Sequence, residues 1–163
     1  MASTNKLSGI VSKINKLPEF ARSRALTLFF GKVVPFTGTT GLRIESLDHE
    51  RCVISLANKR RVQNHIGGVH AVASLVLAES ATGFLVGLNV PDDKVPVIKT
   101  AHAEYTRRAT GDMTVEAHLS EDQRERMRTE EKGDVSVPVT IRDSENKEPI
   151  EIEMVWAWTP KRR

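Results

Sequence analysis

The order of hydrophobic patterns predicts an α+β protein in which a long central helix is wrapped by a curved antiparallel sheet. Three observations carry that expectation. An almost unbroken apolar stretch runs from Ile66 to Val90, six strand-like segments surround it, and two amphipathic helical patterns precede them all. With 163 residues, 39% hydrophobic and 28% charged, the chain suits one soluble globular core.

Leu7, Ile10, Val11, Ile14 and Leu17 recur at helical spacing opposite Lys6, Lys13 and Lys16, and Pro18 ends that helix. A second helical pattern, with Phe20, Leu26, Phe29 and Phe30 as its apolar set, follows from Glu19 to about Lys32. Pro35 and Thr37-Gly38-Thr39-Thr40-Gly41 read as its exit loop. Leu42, Ile44 and Ser46, then Cys52, Ile54 and Leu56, alternate like a hairpin around Asp48-His49-Glu50. Asn58 to Asn64 is a polar, basic loop, and the long helix is expected from Gly67 to about Leu88. Val95–Arg107 and Met113–Leu119 read as strands. Ser120 to Gln123 is a capping box opening a short charged helix that Gly133 breaks. Val135–Arg142 and Ile150–Trp158 read as a closing hairpin. The expected division is an N-terminal helical extension over 1–38 and a main domain over 39–163.

The apolar stretch is long enough to span a bilayer, but it carries His70 and Glu79, and a charge at mid-membrane costs about 3 kcal/mol or more. A helix buried inside a soluble protein is the better reading. One five- or six-stranded sheet cannot cover such a helix on every side, so a second copy of the chain is expected. Cys52 is the single cysteine, which excludes an intramolecular disulfide and fits a reducing, cytoplasmic setting. The opening Met-Ala-Ser-Thr-Asn-Lys lacks the apolar core of a secretion signal. A net charge of only +3 gives no sign of nucleic acid.

Glu79 is an acid within an otherwise apolar helix. Burial raises a carboxyl pKa toward the range of a general base, although a structural acid bonded to core backbone fits the same position. A helix start near Val69 offers backbone N–H groups and a positive dipole end suited to an oxyanion, and Gly67 and Gly68 allow close approach of a ligand. His70 could simply cap that helix, and Asn64 could bond its own loop. Arg60, Arg61, Arg107 and Arg108 are basic residues suited to phosphate groups or to solvent. No metal-ligand spacing, Gly-rich phosphate loop or nucleophile elbow is found.

The segment from Asn64 to Glu79 resembles the hotdog-fold thioesterase superfamily, in particular its PaaI-like acyl-CoA thioesterases and related DUF4442-like bacterial hotdog domains. The likeness lies in an asparagine, a glycine turn, a histidine six residues on, and a carboxylate nine residues beyond it. Tyr105-Thr106-Arg107-Arg108-Ala109-Thr110-Gly111-Asp112 is similar to the family's strand ending in an aromatic, a basic residue and a Gly-Asp turn. The resemblance covers about Thr39 to Trp158. It implies a hotdog fold with two extra N-terminal helices, and hydrolysis of an acyl-CoA thioester without a further cofactor or a metal. The site it implies lies between subunits of a homodimer or a dimer of dimers. Asn64, His70 and Glu79 would be catalytic; Gly68, Ala71 and the four arginines would bind substrate. No nucleic acid or membrane partner is implied. Where the family commonly has two glycines after the histidine, this chain has Ala71 and Val72. That departure gives weight to a non-catalytic acyl-thioester or lipid-binding module; a hydratase is the third reading. Thr100 and His102 stand near the family's polar third-strand position.

Overall fold

A computed structural model describes residues 5–162. In chain order the elements are α1 (Lys6–Ile14), α2 (Glu19–Val33), α3 (Pro35–Thr40), β1 (Arg43–Leu47), β2 (Arg51–Leu56), α4 (Ala71–Asn89), β3 (Lys94–Tyr105), β4 (Met113–His118), α5 (Glu121–Thr129), β5 (Gly133–Ser136), β6 (Val139–Asp143) and β7 (Ile150–Pro160).

The strands form two antiparallel sheets, ordered β1-β2-β4-β6 and β3-β7-β5. Residues 133–143 join them. The expected closing hairpin is only half formed, because β5 pairs with β7 whereas β6 pairs with β4. The break falls at Val137-Pro138, where proline has no N–H for a ladder; Val137 N donates to Met154 O and Pro138 O accepts from His118 N. One curved surface results, and α4 packs against strands of both sheets. Leu77, Ala78, Ala81, Leu85 and Val86 of α4 meet Ile54, Val115, Ile141 and Met154 in the core. Although α4 is long and apolar enough to cross a membrane, 67% of its most apolar window is buried inside the chain.

Two expectations need correction. The Thr-Gly cluster after Pro35 is a helix rather than a loop: Pro35 supplies the first turn, Thr39 and Thr40 hydroxyls bond back to Phe36 O and Thr37 O, and Gly41 closes it with φ 69°. The expected boundary between residues 38 and 39 falls inside this helix. The long helix starts at Ala71, four residues later than Gly67, because Gly67 takes φ 78° within a tight loop and His70 is the N-cap.

The two sheet edges are treated differently. Along β1, α2 lies close: Ser23 Oγ donates to Ile44 O at 2.7 Å, Ile44 N donates to Thr27 Oγ1 at 3.0 Å, and Leu26 and Phe30 are buried. Asn5 caps α1 and donates to Gly87 O and Val90 O, fixing α1 to the end of α4. By contrast β3, at the other edge, bonds to β7 on one side alone and leaves Val95, Val97, Ile98 and Tyr105 exposed.

Candidate active site

The chain enters α4 through a loop organised by Asn64. Its Oδ1 accepts from Ile66 N at 3.0 Å and Gly68 N at 3.1 Å, and its own N donates to Gly68 O at 2.8 Å. With the carbonyl oxygen so engaged, Asn64 Nδ2 is left as a donor with no acceptor among the described residues. Tyr105, at the end of β3, donates its hydroxyl to Ala71 O at 2.7 Å, and Arg108 donates to Ile66 O at 3.1 Å. The loop, the helix start and the end of β3 are thereby held together.

They enclose a cleft of about 420 Å³ whose lining includes Asn64, Gly68, Ala71, Ser74, Tyr105, Arg107, Arg108 and Met113. Ala71 N–H, first of the helix, has no acceptor among the described residues; Val72 N–H is taken by His70 Nδ1 at 3.1 Å. Two hydrogen-bond donors therefore border one cleft at the positive end of a helix, a setting that stabilises a developing oxyanion.

The expected residues do not all meet. His70 is exposed beside the cleft and lines a separate cavity of about 220 Å³ with Phe36, Thr39, Arg61, Val72 and Val76. Arg61 lies over Gly41, whose missing side chain leaves room for the guanidinium, and Arg60 is exposed at the start of a 3-10 turn; neither lines the Asn64 cleft. Arg107 lines it but is engaged, donating to Asp143 at 3.2 Å and Glu145 at 3.4 Å. Arg108 has no carboxylate partner among the described residues and faces the cleft. Tyr105 and Ser74 add to the lining beyond the residues expected there, and Tyr105 stands within the motif itself. Ser74 sits one turn into α4 and gave no separate signal.

Glu79 lies eight residues beyond Ala71, about 12 Å along the helix axis. It follows Val72 and Val76 at spacings of seven and three, so the three share one face of α4. Burial pushes its carboxyl above the ordinary glutamate value. It does not line the Asn64 cleft. Thr100 is exposed on β3, and His102 lies 3.5 Å from Glu104 on the same strand. Cys52 is buried and its thiol pKa is pushed far up by desolvation. Among the described residues no group of three His, Cys, Asp or Glu side chains could hold a metal ion.

The sequence profile of a family described as a domain of unknown function, DUF4442, matches residues 22–158. The chain belongs to the DUF4442 family. No curated protein matches it. Among solved structures, this DUF4442 chain is similar to a Pseudomonas aeruginosa protein described as a probable thioesterase, at 25% identity and TM-score 0.75, covering 89% of this chain and 97% of the other. A putative thioesterase from Shewanella oneidensis matches at 15% identity and TM-score 0.71, covering 85% and 97%. A thioesterase from Haemophilus influenzae matches at 18% and 0.63, covering 77% and 82%. The shared architecture is the hotdog fold, so the DUF4442 chain wraps its central helix as expected.

Proposed function

We propose that this DUF4442 protein hydrolyses an acyl thioester, with acyl-CoA as the substrate class, at sites formed between two copies. One observation carries the reading. The cleft at the start of α4 has oxyanion donors and no carboxylate, while the carboxylate with the raised pKa stands two turns along α4 beyond its reach. A second copy beside the open edge of β3 supplies what the cleft lacks.

In this scheme the thioester carbonyl oxygen accepts from Ala71 N–H and Asn64 Nδ2, and Gly68 leaves room for the acyl carbon. Glu79 of the partner subunit takes a proton from water as its oxygen attacks that carbon. The tetrahedral intermediate expels the thiolate, which recovers the proton from the carboxyl and leaves as the free coenzyme A thiol, with no further cofactor taking part. His70 is a positioning residue that holds the first turn through Val72 N–H. Arg108 is the cation best placed for a phosphate of coenzyme A. Arg107 shapes the wall, whereas Arg60 and Arg61 belong to the opposite side of the loop. Ala71 lines the cleft and its methyl narrows it, which favours a second reading as an acyl-thioester binder.

Asn64→Asp keeps the acceptor that organises the loop and removes the donor; Glu79→Gln keeps the shape and removes the base. Each variant alone should release little thiol from a panel of acyl-CoAs. After co-refolding equal amounts, half the dimers are mixed and each mixed dimer has one intact site, so about a quarter of all sites recover. Mixed dimers confirmed by mass spectrometry but no more active than the parents would refute the composite site. Acyl-CoA binding without turnover in the natural protein would select the binder.

A further inference from the structure

On the side of the molecule carrying α2 and α3 lies a groove of about 780 Å³, larger than the candidate catalytic cleft. Phe20, Arg24, Leu28 and Lys32 follow one another at four-residue intervals along α2 and all line it, so apolar and cationic side chains alternate on one ridge. Phe20 is 84% exposed and Leu28 is 58% exposed. Six of the twelve large apolar side chains left exposed among the described residues fall between Ile10 and Phe36. Single exposed apolar residues are ordinary, but this concentration on the first three helices and the turn after α1 is not.

Charge follows the same division. Residues 1–43 hold seven Lys or Arg against the single acid Glu19, a net +6, so the remaining 120 residues carry −3 of the chain's overall +3. Arg43 is engaged by Glu45 at 3.3 Å, but Arg24 and Lys32 have no carboxylate partner among the described residues. A self-complementary contact through this face would set its cations against their own copies, which disfavours a second chain as the occupant.

We infer that the α2–α3 face docks this protein on an anionic lipid surface. Phe20 and Leu28 enter the boundary between headgroups and acyl chains, while Arg24 and Lys32 meet lipid phosphates. This departs from the expectation of no membrane partner; the contact is peripheral and leaves the central helix in the core. It does not depend on thioester hydrolysis.

The test is co-sedimentation of the full chain with vesicles of phosphatidylcholine alone and with vesicles rich in phosphatidylglycerol. The protein should follow the anionic vesicles only, and should be released by high salt. Arg24→Ala/Lys32→Ala should lower partitioning about 25-fold, taking each cation near the surface as about 5-fold. Phe20→Ser/Leu28→Ser should lower it at least about 10-fold, with an unchanged thermal melt showing the fold intact. Equal binding to both vesicle types, no binding to either, or binding undiminished in both double variants would overturn the inference. So would light scattering in which the Phe20→Ser/Leu28→Ser pair dissociates an oligomer, which would assign the face to a second copy.

Discussion

Replacing Asp143 with alanine removes the acceptor on which one wall of the cleft is built. The Asp143 side chain is fully buried at the end of β6. Its Oδ1 accepts from Glu145 N at 3.0 Å and Lys147 N at 3.1 Å, and its Oδ2 from Thr110 N at 3.1 Å and Arg107 at 3.2 Å. Alanine leaves three backbone donors and a guanidinium without that acceptor. At about 1 kcal/mol for each lost backbone bond, the cost is at least about 3 kcal/mol. For a chain of this size that lowers Tm by about 6–12 °C. Differential scanning calorimetry measures it. The pH dependence has a definite sign. Burial by itself would raise the carboxyl pKa, but the N–H groups of Lys147, Thr110 and Glu145, with Arg107, outweigh it and hold it below the ordinary 3.8. The stabilisation is therefore present above that value and is lost as pH falls through the folded pKa. The gap in Tm between the two proteins should close in acid. A loss below about 1 kcal/mol, or a gap unchanged on acidification, would refute the account of this wall. Untethered Arg107 should also raise KM more than it lowers kcat.

Other outcomes follow at three positions described above. If the proposed hydrolysis is right, Glu79→Gln should lower turnover about 10²-fold or more, and the acid limb of the natural protein's pH profile should lie above the ordinary glutamate value of 4.5. Because the folded pKa of Glu79 is raised, its contribution to stability is lost as pH rises through that value, so Glu79→Gln should melt higher than the natural protein at neutral pH and equal it in acid. Gly38→Ala would place a methyl 2.8 Å from Gly31 O, costing about 1–3 kcal/mol in a urea titration; an unchanged midpoint would contradict the close crossing of α2 and α3. Val97→Asp on the open edge should shift a dimer toward monomer in light scattering, since each copy would bring a charge to a partly apolar contact.

Periodicity made most of the fold legible. The pattern from Leu42 to Leu56 became β1 and β2, and the Ser120 capping box became the first turn of α5. What stayed hidden was set by single backbone groups. Proline, threonine and glycine at 35–41 read as a loop, yet hydroxyl bonds and a left-handed cap make them helical. Pro138 marks a break in the extended segment, but not that its two halves pair with different strands, because pairing is decided by residues far along the chain. At the candidate site, the motif from Asn64 to Glu79 located the cleft without saying which side of the helix start each residue takes. His70 and Arg61 line a cavity with Phe36 and Thr39 of α3, whereas Asn64 and Ala71 share a cleft with Tyr105 and Arg108.

The open edge of β3 also has a history during synthesis. Its bonded neighbour β7 is the last strand in chain order, so β3 emerges from the ribosome with no partner on either side. Another 55 residues, 106–160, must be added before Pro160 can close the register opposite Lys94. At about 5–20 residues per second that interval lasts about 3–10 s. Throughout it, nascent chains on one message hold the same unpaired strand near one another, where strand pairing between chains competes with pairing inside each.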